Sequence, residues 1–177
     1  PGVGTAQGEG NRDTPVLRGN STTADFFVDG IRDDVQYFRD VYNLERVEAL
    51  KGANAMIFGR GGSGGVINRI TRQADGADHR NGSLQFGSYQ RRRGTIDYGT
   101  GIGSNAGFRI NAMYETSDSF RDDVNVTRYG ANPTFGIAAG DNTRLQLSYE
   151  RFHDERNAVR CFLSFQGRPV VTKPSTF

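Results

Sequence analysis

The chain has 177 residues, 24 of them glycine, with 22 Lys and Arg against 20 Asp and Glu and a formal charge of +2. So even a charge balance gives no electrostatic footprint for nucleic acid. No apolar run approaches the roughly 20 residues of a spanning helix, which excludes a helical membrane protein. A transmembrane β-barrel stays open, because lipid-facing and lumen-facing residues alternate and their hydropathies average out.

In chain order, the first clear period is helical: Leu44, Val47, Leu50 and Lys51, with Ala49, Ala53 and Ala55. That predicted helix runs into a turn crowded by Gly59, Gly61, Gly62, Gly64 and Gly65. Gly59-Arg60-Gly61-Gly62-Ser63-Gly64 matches G-x-G-x-x-G, but a dinucleotide site needs a strand before the glycines and a helix after them. The order here is reversed, since Val66-Ile67-Asn68-Arg69-Ile70-Thr71 is β-branched and strand-like. The same reversal removes Ser63 as a nucleophile on a strand-to-helix elbow. The glycines read instead as positions needing positive φ or close backbone approach.

Residues 76–81 (Gly76-Ala77-Asp78-His79-Arg80-Asn81) form a predicted polar linker. Beyond it the period is two. Phe108, Ile110, Ala112 and Tyr114 share one face, and Arg109, Asn111, Met113 and Glu115 the other. Leu145, Leu147 and Tyr149 oppose Gln146, Ser148 and Glu150, and the register is expected to slip near Phe152. Weaker alternation marks 84–89, 95–102 and 129–137, giving about five strands near the 9 to 11 residues of a tilted membrane strand. Residues 103–106 and 139–142 read as tight turns, whereas 117–127 and the stretch from 154 onward read as longer polar loops. A soluble antiparallel sheet would alternate in the same way.

Other chemistry is sparse. His79 and His153 lack metal-ligand spacing, and Asp118, Asp122 and Asp123 lack that of a calcium loop. Cys161 has no partner for an intramolecular disulfide. Arg91-Arg92-Arg93 reads as a solvated hairpin or a contact to anionic outer-leaflet lipid. No catalytic constellation stands out, and no enzymatic role is expected.

Leu44-Glu45-Arg46-Val47-Glu48, Leu50-Lys51-Gly52, Phe58-Gly59-Arg60-Gly61 and Gly64-Gly65-Val66-Ile67-Asn68 stand in a fixed order and spacing. These four elements resemble the plug-domain signature of TonB-dependent outer-membrane siderophore receptors. Upstream, Val16-Leu17-Arg18-Gly19 resembles the family's Ile-Arg-Gly element, and Phe27-Val28-Asp29-Gly30 its aromatic-x-Asp-Gly strand end. The resemblance implies an α+β plug segment followed by antiparallel strands of an incomplete transmembrane β-barrel. Its expected division is the C-terminal part of a plug at 1–75, a linker at 76–81 and opening barrel strands at 82–177. About five strands cannot close the 22-stranded barrel of a plugged transporter, so the chain is expected to be a fragment, with the TonB-contacting segment elsewhere.

The resemblance also implies roles. Arg18 and Lys51 match plug positions that form ion pairs with barrel-wall glutamates; lysine at the second weakens a bidentate pair. The loops after Gly19 and Gly30 match outward-facing apices that contribute a ligand floor, here Ser21, Thr22, Thr23, Arg32, Gln36, Tyr37, Phe38 and Arg39. Aromatic surface and cationic donors suit an anionic, aryl-bearing ferric siderophore such as a catecholate. Tyr37 and Phe38 read equally well as packing groups under a loop, and Asp33, Asp34 and Asp40 dilute the positive charge. Implied partners are a ferric siderophore, the TonB complex and outer-membrane lipid. Iron would arrive already chelated, so neither cofactor nor metal ligand is expected. The competing readings are a soluble β-rich interaction module and a nucleotide-binding enzyme.

Overall fold

The structure is a computed structural model that describes residues 3–5, 14–17, 19–21, 25–33, 35, 37–59, 64–120, 123–140, 142–157, 164–165 and 168–169. Strands β1 (Val3–Thr5), β2 (Pro15–Leu17) and β3 (Asn20–Ser21) form a small antiparallel sheet. The next four strands, β4 (Phe26–Val28), β5 (Ile31–Arg32), β6 (Leu44–Leu50) and β7 (Val66–Thr71), make a mixed sheet in the order β5-β4-β7-β6. Among the described strands only β4 and β7 pair in parallel. Phe27, Ala55 and Val66 form its core with Leu50 and Phe58 against them, and the Phe27 and Phe58 rings meet edge to face at 4.7 Å.

The helix expected over 44–55 is mostly strand. Residues 44–50 pair with β7, and helical backbone is confined to the 3-10 helix Gly52–Phe58. The apparent helical rhythm was a coincidence of spacing, for Val47 lies exposed and unused as a core residue. Arg46 Nε instead donates to Glu48 Oε1 at 2.8 Å, and Asn68 Nδ2 to Glu48 Oε2 at 3.1 Å. Residues two apart face each other on a strand and not on a helix. The glycine turn keeps its position between helical backbone and strand. Gly59 closes the 3-10 helix at φ +78°, its N–H donating to Met56 O at 3.1 Å. Gly64 serves a different need, since a Cβ there would sit 2.2 Å from Leu17 O. Arg60, Gly61, Gly62 and Ser63 lie outside the described residues.

The C-terminal sheet is an antiparallel meander of β8 (His79–Phe86), β9 (Arg92–Ile102), β10 (Ala106–Asp118), β11 (Asn125–Ala138), β12 (Arg144–Ser148) and β13 (Arg151–Arg156). Gly76, Ala77 and Asp78 connect the two sheets, while 79–81 already belong to β8. The 117–127 loop narrows to 119–124, because β10 runs to Asp118 and β11 starts at Asn125. Beyond it lies a short hairpin of β14 (Ser164–Phe165) and β15 (Arg168–Pro169).

No register slip occurs at Phe152. Both β12 and β13 pair with β11 in one continuous register, Thr134↔Ser148 before the break and Ala131↔Arg151 after it. The ladder is interrupted where Pro133, which has no N–H to donate, lies opposite Tyr149; Tyr149 N still donates to Pro133 O at 3.1 Å. Phe152 broke the alternation for another reason. It points inward and stacks on Tyr42, ring centroids 6.3 Å apart.

The burial of this sheet is inverted relative to a soluble protein. Asn111 and Thr134 are 0% and 1% exposed on the face that meets the N-terminal sheets, whereas Leu147 and Tyr149 on the other face are 71% and 64% exposed. Ile96, Tyr98, Tyr114 and Leu145 share that uncovered face. A soluble sheet would bury the apolar set and wet the polar one; the opposite arrangement fits a wall between lipid and a polar lumen. None of the described helices is long and apolar enough to cross a membrane.

Candidate functional site at the contact between the sheets

Residues 37–42 pass between the mixed sheet and the wall, and the side chains of 37–40 alternate between the two, while Val41 is exposed. Tyr37 and Arg39 turn toward the mixed sheet. Arg39 is buried, lies over the rings of Phe26 and Tyr37 at 4.1 and 4.2 Å, and donates to Asp33 Oδ2, Asp33 O, Tyr37 O and Val35 O. Asp33 also pairs with Arg69 and accepts from the Tyr37 hydroxyl at 2.7 Å. Burial, then the Asp33 hydrogen bond, pushes the Tyr37 phenol up despite Arg69 beside it.

Phe38, Asp40 and Tyr42 turn toward the wall. The guanidiniums of Arg128 and Arg156 both lie against the Phe38 ring, each 4.5 Å from its centroid. Asp40 takes a forked pair from Arg93 at 2.7 and 2.9 Å, lies 3.7 Å from Arg128, and accepts the N–H groups of Val41 and Tyr42. Burial alone would raise the Asp40 carboxyl, but Arg93, the Val41 N–H and Arg128 outweigh it and hold it below its ordinary value. Tyr42 donates to Glu150 at 3.0 Å. Burial and then the Glu150 charge drive its phenol far up, so it remains a donor at neutral pH.

Behind Asp40 sits Glu115, almost fully buried, which accepts from Arg93 at 2.5 Å, Arg128 at 2.7 Å and Arg91 at 3.2 Å. A second cluster holds the outgoing chain: Arg109 forks onto Asp97 at 2.8 and 2.9 Å and donates to Gln73 O, while Arg72 reaches Asp97 at 3.3 Å and Asn111 at 3.1 Å. Arg144 donates to Ala74 O at 3.2 Å. Wall glycines let this chain lie directly against the strands. A Cβ at Gly136 would fall 2.5 Å from Ala74 O, and one at Gly107 2.6 Å from Gly76 N.

Among the residues read from the sequence, Arg39 is occupied within its own loop, Phe38 packs against the wall, and Tyr37 keeps a partly open ring edge. Arg32 is exposed, 5.7 Å over the Phe27 ring. Lys51 is half buried in extended backbone just before the 3-10 helix. Arg18, Thr22, Thr23, Gln36 and the side chain of Ser21 lie outside the described residues, as does Cys161. The Arg91-Arg92-Arg93 run is not a solvated hairpin throughout, because alternation turns Arg91 and Arg93 inward and leaves Arg92 on the uncovered face. Asp40, Tyr42, Arg72, Glu115 and Arg128 were not singled out as contacts. The tight turn at 103–105 held the signal, since counting outward from Ile102↔Ala106 places Arg93 opposite Glu115.

Residues 1–66 match the model of the TonB-dependent Receptor Plug Domain. The chain belongs to the TonB-dependent receptors. It is 35% identical over 162 residues to a probable TonB-dependent receptor, BfrD of Bordetella pertussis, covering 88% of this chain and 22% of that protein. With the catecholate siderophore receptor Fiu of Escherichia coli K12 it shares 38% identity over 155 residues, 84% of this chain and 20% of Fiu. The open-form crystal structure of E. coli K12 Fiu, a ferric-catecholate import receptor, superposes with a TM-score of 0.77 at 35% identity, covering 88% of this chain and 23% of that one. The chain thus spans about a fifth of the curated relatives it matches. The mixed sheet is plug, and β8 to β13 are strands of an incomplete outer-membrane barrel wall. The family is one of transport receptors and not of enzymes.

Proposed function

We propose that this chain is the C-terminal part of the plug and the opening wall strands of an outer-membrane receptor that binds a ferric siderophore, of catecholate type, and imports it with energy transduced by TonB. The observation that carries this reading is the inverted sheet: an apolar face left uncovered for lipid and a polar face built around a plug. Relatives support the substrate class, since Fiu is a catecholate siderophore receptor and PiuA of Acinetobacter baumannii a probable TonB-dependent siderophore receptor. In this reading the plug ends near residue 75, residues 76–78 link it to the wall, and the wall opens with β8 at His79. Arg32 and the Tyr37 edge belong to the ligand floor with Ser21, Thr22, Thr23 and Gln36. Arg39 and Phe38 hold that floor to the plug sheet and the wall. Arg18 and Lys51 pair with wall glutamates elsewhere in the receptor, and Arg92 meets outer-leaflet lipid.

The test is iron uptake by the whole receptor in a strain lacking its own catecholate receptors. Radiolabelled iron supplied as a ferric catecholate enters, and deleting TonB reduces entry to background. Equal entry of catecholate and hydroxamate iron overturns the substrate class. Entry independent of TonB overturns the mechanism.

A further inference from the structure

Where plug and wall touch, three guanidiniums share two carboxylates. Among the described residues, Arg91, Arg93 and Arg128 pair with Asp40 and Glu115. One positive charge is left over in this cluster, and the geometry shows where. Arg93 and Arg128 are buried and reach both Asp40 and Glu115, whereas Arg91 reaches Glu115 alone at 3.2 Å and keeps 48% of its side chain exposed.

That exposed half faces a groove of about 500 Å³ between residues 38–42 and the inner face of β8 and β9. Its lining includes Gln85 and the hydrogen-bonded hydroxyls of Ser83 and Thr95, 2.7 Å apart, with Phe38 among the lining residues; Arg72, Arg93 and Arg128 also line it, and the one carboxylate in the lining, Asp40, is already held by Arg93. A guanidinium in excess, hydroxyls, an amide and an aromatic edge are the groups that recognise a phenolate or carboxylate on an aryl ring. The groove lies beside the segment that carries the candidate ligand floor.

We infer that this groove is an anion-binding subsite, centred on Arg91, that receives an aryl phenolate or carboxylate group of the solute between the floor and the plug–wall gap. The inference rests on the import reading for its ligand class, but the site is testable without transport. In the purified whole receptor, phenylglyoxal labelling of Arg91 is followed by mass spectrometry with iron-free 2,3-dihydroxybenzoate as the probe. At least fivefold slower labelling of Arg91 is expected, with labelling of outward-facing Arg92 unchanged. The uncharged 2,3-dimethoxybenzamide is expected to give no protection. Equal labelling with and without the probe, or equal protection of Arg92, overturns the site.

Uptake adds a second reading. Arg91→Gln is expected to lower the maximal rate for a ferric catecholate at least fivefold with unchanged surface affinity, and Arg91→Lys to restore most of it. If lysine is as slow as glutamine, Arg91 serves only to hold Glu115 and the subsite is overturned. Protection of Arg91 in a receptor that imports no iron chelate upholds the subsite and overturns the import reading.

Discussion

Replacing Glu115 with alanine in the whole receptor is expected to release the plug segment 37–44 from the wall. Three arginines converge on this carboxylate, two of them from strands directly opposite in the ladder, Arg93 on β9 and Arg128 on β11. The Glu115 side chain is only 4% exposed, so solvent does not screen the loss. Removing one partner of a buried ion pair costs roughly 3–5 kcal/mol, because the remaining charges stay desolvated and uncompensated. Arg93 and Arg128, the two guanidiniums that reach Asp40, would lose the carboxylate that holds them in position for it. Hydrogen exchange across 37–44 is expected to accelerate by two orders of magnitude or more, about 2.7 kcal/mol, while exchange in β10 and β11 away from the site changes little. Exchange at the wild-type rate in that segment would show that the cluster does not hold the plug.

The second large effect is steric. Gly136→Val is expected to prevent the chain leaving the plug from seating on the wall. The atom that a side chain would meet at 2.5 Å is Ala74 O, a backbone oxygen also held by Arg144, so it cannot swing aside as a side-chain end would. Overpacking of this kind costs about 1–3 kcal/mol even where side chains can adjust. Gly82→Ala is the matched control, since its nearest contact would be an ordinary 3.6 Å to Thr95 O. The expected result is loss of folded, heat-modifiable receptor from the outer membrane for Gly136→Val and wild-type levels for Gly82→Ala. Equal levels of the two variants would mean that the exit chain lies elsewhere.

Much of the wall was legible because period two is a local property. The faces of β10 followed directly from Phe108 to Glu115, and the tight turns fixed the hairpin registers. The mixed sheet was less legible, since its parallel pairing of Phe26–Val28 with Ile67–Arg69 joins distant segments, and the antiparallel pairing of 44–50 with β7, not local rhythm, makes 44–50 a strand. Phe152 misled for a related reason. An inward aromatic looks like a register error until Tyr42 is brought beside it. At the site, residue type identified the loop 32–39 but not the direction in which each side chain points. Arg39 looked like a ligand donor and is instead buried among carbonyls and aromatic rings. Asp40 looked like a diluting charge and is the carboxylate that ties the plug to Arg93.

The orientation of the wall is most directly tested by nitroxide labels placed singly in the whole receptor in outer membranes, with relaxation by oxygen compared with relaxation by a water-soluble nickel chelate. Labels at Tyr98 and Leu147 are predicted to respond to oxygen in lipid and to be shielded from nickel, whereas labels at Asn111 and Thr134 are predicted to be shielded from both, buried against the plug. Equal oxygen response on the two faces, or nickel access at Leu147, would contradict a membrane wall and return the sheet to water.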